Sequence, residues 1–282
     1  MATLTMARGA YTQVFRPRRL WLVQLVANPI LFLSFAGWLL IPVANAGQLT
    51  LNVGLAILLA AAWLTLHAGT INHFRDRNSA APAHDGHPIL RDAFRRAFQH
   101  LLAIAACMAV LWMLWPPFDS LDVYRGPLPT YIRSILPVFL RRHIPLSEFE
   151  ATFTALLFIG HWIVIPGLLL PLMVVAADAG FRGFPTRQGL AIWGRAVASL
   201  SYWFTLSIAA VIGVLAVRGI LMWTPDFRRS TLLREYFSLG WRVVIAYLLA
   251  LTSWMVICSL LGRFAASSAA GSNHNAPRNP GA

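Results

Sequence analysis

The chain has 282 residues, of which 58% are hydrophobic and only 12% charged, with a formal charge of +13. A soluble domain carries about 25% charged residues, so a soluble globular domain is excluded and the chain belongs in a membrane. The basic residues are all arginine and flank apolar runs, which suits orientation signals and anionic lipid headgroups rather than nucleic acid.

In chain order, residues 1–19 form a basic tail with Arg8, Arg16, Arg18 and Arg19. The first predicted span is Leu20–Val43, and Asn28-Pro29 with Gln24 a turn earlier gives it a polar group. Ala44-Asn45-Ala46 resembles a signal-peptidase site. The run before it exceeds the roughly 7–15 residues of a signal core, so the N-terminus is expected to be retained. The second span is Leu49–Ile71, followed by a polar segment, Asn72–Ala97, with five arginines and three aspartates. The third span is Phe98–Trp115, with Pro116-Pro117 as its expected end.

Leu128–His143 is too short to span and too apolar for water. An amphipathic segment at the membrane interface is predicted, broken at Pro137, with Arg133, Arg141 and Arg142 as headgroup-binding residues. The fourth span is 151–177, with 27 uncharged residues in a row. It carries His161 near mid-depth and two helix-breaking prolines, Pro166 and Pro171. Asp178 closes it near Arg182, and an ion pair at the interface is the expected use of that carboxylate.

The fifth span is Ala196–Trp223, with Arg218 reaching outward from its far end. Thr224–Gly240 has a helix start in Thr-Pro-Asp and an apolar face of Leu232, Leu233, Tyr236 and Phe237, predicting a second interfacial helix. The sixth span is Val243–Gly262, and residues 265–282 have the composition of a disordered tail.

The predicted fold is therefore an all-α, polytopic six-helix bundle, with one transmembrane domain over 20–264. Six spans put both termini on one side. That side holds 14 arginines against 8 on the other, so an N-in, C-in topology in a bacterial inner membrane is expected. ArgAlaPheGlnHis at Arg96 and ArgAlaValAlaSer at Arg195 resemble each other where two spans begin, a hint of internal duplication. Small residues at four-residue spacing, such as Thr205, Ala209 and Gly213, predict close helix packing.

Chemistry-bearing residues are few. Intramembrane polar groups are costly and often functional, which singles out His161, Asn28, Gln24 and Asp178. His161 is expected to face inward, with Asn28 or a carbonyl freed by a proline as partner. The histidines of the inner segment, among them His67, His73, His84 and His87, do not amount to a metal site. Cys107 and Cys258 both fall in apolar runs, so no structural disulfide is expected. No phosphate loop, zinc motif or nucleophile elbow is present, and no cofactor is implied. The expected function is a non-enzymatic accessory, sensor or assembly subunit whose partner is a membrane protein or a second copy of the chain. A permease for a small or lipidic solute, using His161 and Asn28, is the alternative, and an intramembrane lipid-modifying enzyme is the second alternative.

Overall fold

The structure is a computed structural model that describes residues 14–42, 44–79, 90–223 and 232–274, with side chains as far as residue 267. Every element among them is helical. Ten helices organise the described residues: α1 Arg18–Leu39, α2 Ala46–Ser79, α3 Leu90–Gln99, α4 Leu101–Arg125, α5 Pro127–Ile135, α6 Val138–His143, α7 Leu146–Gly183, α8 Arg187–Val197, α9 Leu200–Met222 and α10 Leu232–His274. Six of them, α1, α2, α4, α7, α9 and α10, are long and apolar enough to cross a membrane. The chain is an all-helical, multi-pass membrane protein.

The packed core lies at the end of the bundle where α1 begins and α10 finishes, called here the terminal end. The halves of α2, α7 and α10 nearest that end meet there through Ile71, Phe74, Val174, Ala177, Leu260 and Leu261. α7 and α10 are the most buried of the six spans. Leu33, Leu40, Trp112 and Met113 instead face outward, where lipid receives them.

The helices run further than the apolar runs. α2 continues to Ser79 and α3 follows, so the described part of the predicted polar segment is helical. Helix α4 passes through Pro116 and Pro117, which were expected to end it. Each proline removes one N–H from the ladder, but both sit near the far end of the span, where water can replace the lost donor. The predicted interfacial segment is two short helices, α5 and α6, parted at Pro137.

The segment with Leu232, Leu233, Tyr236 and Phe237 is not a separate interfacial helix but the first turns of α10. Thr224 and the Thr-Pro-Asp start lie outside the described residues. At its other end α10 continues to His274, where a structureless tail was expected from 265. Asn45 caps α2, accepting from the Gln48 N–H at 2.8 Å, while the Gln48 side chain accepts from the Ala44 N–H at 2.8 Å. The cleavage-like Ala-Asn-Ala triplet thus forms a reciprocal helix cap.

The two similar stretches occupy equivalent places. Arg96 and Arg195 each stand in the last turn of a short helix leading into a span, α3 into α4 and α8 into α9. The same shift along the chain pairs Ala97 with Ala196 and Ala93 with Ile192, all buried.

Candidate functional site

Four polar groupings stand out, and tertiary packing assigns each a place. Gln24, Asn28 and Thr70 form the first. The Asn28 amide donates to Gln24 Oε1 at 2.5 Å, Gln24 Nε2 donates to Thr70 Oγ1 at 2.5 Å, and Thr70 donates to the Leu66 carbonyl at 2.8 Å. The Tyr247 hydroxyl donates to the Gln24 backbone carbonyl at 3.0 Å. This chain of bonds ties α1 to α2 and α10, and Gln24 is wholly buried in it.

His161 is elsewhere. Its Nδ1 lies 3.6 Å from an Asp119 carboxylate oxygen, and its ring meets the Trp115 ring edge-on at 3.7 Å between centroids. Both partners are on the far part of α4, so His161 stands toward the far end of the bundle rather than at mid-depth. It faces α4 rather than lipid. Asn28 is not its partner: that amide is spent on Gln24, and α1 packs on α2 instead of α7. The Nε2 of His161 is buried without a hydrogen-bond partner.

The proline-freed carbonyl is taken by another residue. Pro171 has no N–H, so the Gly167 carbonyl loses its helical donor. The buried Tyr202 hydroxyl of α9 supplies one at 2.9 Å. Just before Pro166, residues Gly160–Val164 adopt a π-helical turn, and α9 has a second one at Val211–Ala216. Such turns interrupt an α-helix and recur at functional sites.

The third grouping closes the terminal end. Arg75 pairs with Asp178 and with Asp76, and Asp76 pairs with Arg96. Asp178 therefore joins α7 to α2 rather than pairing with Arg182, four residues on in the last turn of α7. Asn72, fully buried, donates from Nδ2 to the Ala177 carbonyl at 3.0 Å and to the Ala93 carbonyl at 3.4 Å. The closeness of the helices is extreme here. A Cβ on Gly262 of α10 would lie 2.7 Å from the Arg75 backbone nitrogen, and one on Gly189 would lie 2.2 Å from the Gly183 oxygen. Gly180, at φ 62°, ends the α-helical part of α7 in a conformation that L side chains resist.

The fourth feature is a cavity of about 300 Å³ between α2, α4, α7, α9 and α10, walled by Trp115, Trp162, Pro166 and Met173 among others. His67 and Trp254 also line it. His67, near the end of the predicted second span, stands in the continuous α2 one turn from Trp63.

Arg133 and Arg141 bind backbone carbonyls of their own segment, Arg133 to Arg141 at 3.2 Å and Arg141 to Leu136 at 2.7 Å, while Arg142 is exposed. Cys107 and Cys258 are free and buried. Among the described residues no three His, Cys, Asp or Glu side chains come together; His84 and His87 lie outside them. No protein-family model, curated protein or solved structure matches the chain.

Proposed function

We propose that the chain is a non-enzymatic accessory, sensor or assembly subunit of a bacterial inner membrane, threaded N-in and C-in. The observation that carries this reading is the clamped terminal end. Ion pairs, the Asn72 bonds and two near-contacts at glycines hold α2, α3, α7, α8 and α10 together there. A permease works by opening to each side in turn. Opening this end means separating Arg75 from Asp178 and Asn72 from Ala177, which strands partly buried charges and a carbonyl. The permease reading also needed a polar route joining His161 to Asn28, and these residues are bound into different parts of the bundle. Its remaining support is the pair of π-helical turns beside the cavity.

The experiment is thiol accessibility in inside-out vesicles. With Cys107 and Cys258 replaced by alanine, a cysteine at Ala97 or Ala177 is treated with a membrane-impermeant maleimide. Protection relative to a cysteine at the exposed Gln99, together with a membrane protein that co-purifies in fixed ratio, supports the subunit reading. Labelling of Ala177→Cys as fast as Gln99→Cys marks an opening gate and transfers the case to the permease.

A further inference from the structure

A groove on the outside of the bundle has a depth and a charge pattern that define its occupant. It lies between α1 and α2, holds about 850 Å³, and is lined by apolar side chains apart from Thr65. Its α1 wall runs from Leu22 to Leu31 and its α2 wall from Leu58 to Leu66. Phe94 and Phe98 of α3 form its end wall, with Phe94 lying across Gly69, where a Cβ would stand 2.8 Å from the ring. The polar groups of α1 do not line it, since Gln24 is turned to Thr70 and Asn28 to Gln24. From Leu22 to Leu31 the wall rises about 14 Å at 1.5 Å per residue, about half of the roughly 30 Å hydrocarbon core. The groove therefore starts at the terminal end and is one leaflet deep.

Arginines stand at one end of this groove only. Arg19 heads the α1 face that carries Val23, Val26 and Ile30, at spacings of four, seven and eleven residues. Arg91 and Arg95 each precede a wall phenylalanine by three residues on α3, on the side of that helix turned away from the buried Ala93 and Ala97. All three arginines are exposed, and none has a carboxylate partner among the described residues. Arg96 is spent on Asp76, and Asp92 falls on the opposite side of α3 from Phe94. Between Arg19 and Arg75 the chain carries no charged side chain, so the deep end of the groove, at Leu31 and Leu58, is apolar throughout.

A groove one leaflet deep, apolar along its length and cationic at the level of the headgroups, is complementary to a single phospholipid. Its chains would lie along α1 and α2, and its phosphate would meet guanidinium groups, which bind phosphate through paired N–H donors. Three arginines without carboxylates favour a headgroup of net negative charge. A partner transmembrane helix would need the whole span. Beyond the groove α1 is instead closed on α2, where the Trp38 indole donates to the Asn52 carbonyl at 3.0 Å. We propose that this groove binds an anionic phospholipid, with an acyl chain between the α1 and α2 walls and the phosphate at Arg19, Arg91 and Arg95. The site lies apart from the ion pairs of the terminal end and from the inner cavity, and it stands whether the chain is a subunit or a permease.

The test uses the purified, delipidated full-length protein and two probes with the same palmitoyl and oleoyl chains, phosphatidylglycerol and phosphatidylcholine. Native mass spectrometry from micelles holding equal amounts of both is expected to show one retained lipid, phosphatidylglycerol in preference to phosphatidylcholine. Arg91→Gln/Arg95→Gln should lower that preference roughly fivefold for each arginine, the factor that about 1 kcal/mol represents. Arg182→Gln/Arg187→Gln, which removes two exposed arginines of the same end that lie outside the groove, should leave it unchanged. Ala62→Trp fills the groove from an exposed position and should remove the retained lipid of either kind, while its thermal unfolding shows that the fold persists. The two arginine pairs decide the case without it. Equal retention of the two lipids by the unsubstituted protein overturns the proposal. So does an equal loss of preference in the two arginine variants, or a retained lipid that survives Ala62→Trp. A lipid-free dimer that Ala62→Trp splits gives the groove to a second copy of the chain and overturns it as well.

Discussion

Replacing Asn72 tests whether the terminal end is held by specific bonds or by apolar packing alone. The Ala177 carbonyl belongs to the last turn of the α-helical part of α7, where four carbonyls have no donor in their own helix. Asn72 of α2 is its donor. The second bond, to Ala93, is longer and its acceptor lies inside α3, so it contributes less. Asn72→Leu keeps the branching and the volume but removes the donor. Stranding the carbonyl costs about 1–3 kcal/mol. Against this, Asn72 Oδ1 is itself buried without a partner, and its removal returns about 1 kcal/mol. The net cost is about 0–2 kcal/mol. Interhelical bonds within lipid average nearer 0.6 kcal/mol because the separated helices find other partners. The upper end of the range applies here because the acceptor is a buried helix end. Asn72→Asp keeps the unpartnered oxygen and sets a second one against the carbonyl, so it should cost more than leucine. Thermal unfolding in detergent, followed by tryptophan fluorescence, should fall by roughly 3–6 °C for leucine and further for aspartate. A leucine variant as stable as the parent, or an aspartate variant more stable than the leucine one, refutes the assignment.

Gly262→Leu should separate α10 from α2, because its first side-chain carbon already meets the Arg75 backbone; loss of monodisperse protein on size-exclusion chromatography is the expected result, against little change for the uncrowded Gly54→Leu. Arg75→Gln should lower the unfolding temperature more than Arg96→Gln, since Arg75 meets two carboxylates and Arg96 one, and equal effects would show that the Asp178 pair is idle. At the far end, His161→Ala should destabilise more than Asp119→Asn. The imidazole is packed among Trp115, Trp162 and Phe118, whereas Asp119 is 63% exposed and an exposed pair is worth about 0–1 kcal/mol. Reporter fusions after Gln48 and within 127–143 should report outside and those within 72–97 inside; an outside signal from 72–97 reverses the topology.

What the sequence determined by itself is the solvent and the helical, multi-pass class. Six apolar runs, each long enough to cross a bilayer, admit only a helical, multi-pass chain, because in lipid each backbone group must be satisfied within its own helix. Pro137 was legible as a break because a proline acts on its own turn. Hydropathy marks where a helix is apolar, not where it ends, so the extension of α2 to Ser79 and the early start of α10 at Leu232 were hidden. The candidate residues were legible as types and not as partners. Asp178 has Arg182 four residues away yet pairs with Arg75, and His161 meets Asp119 while Asn28 turns to Gln24. Tyr202 carried no signal at all, although it supplies the donor that Pro171 withholds. These choices depend on which helices cross and at what height. Crossings are set by close approaches such as Gly262 of α10 against Arg75 and Phe74 of α2, a contact between positions far apart in the chain. Local spacing records none of that, so the tertiary structure alone decided which polar groups clamp the bundle and which line its cavity.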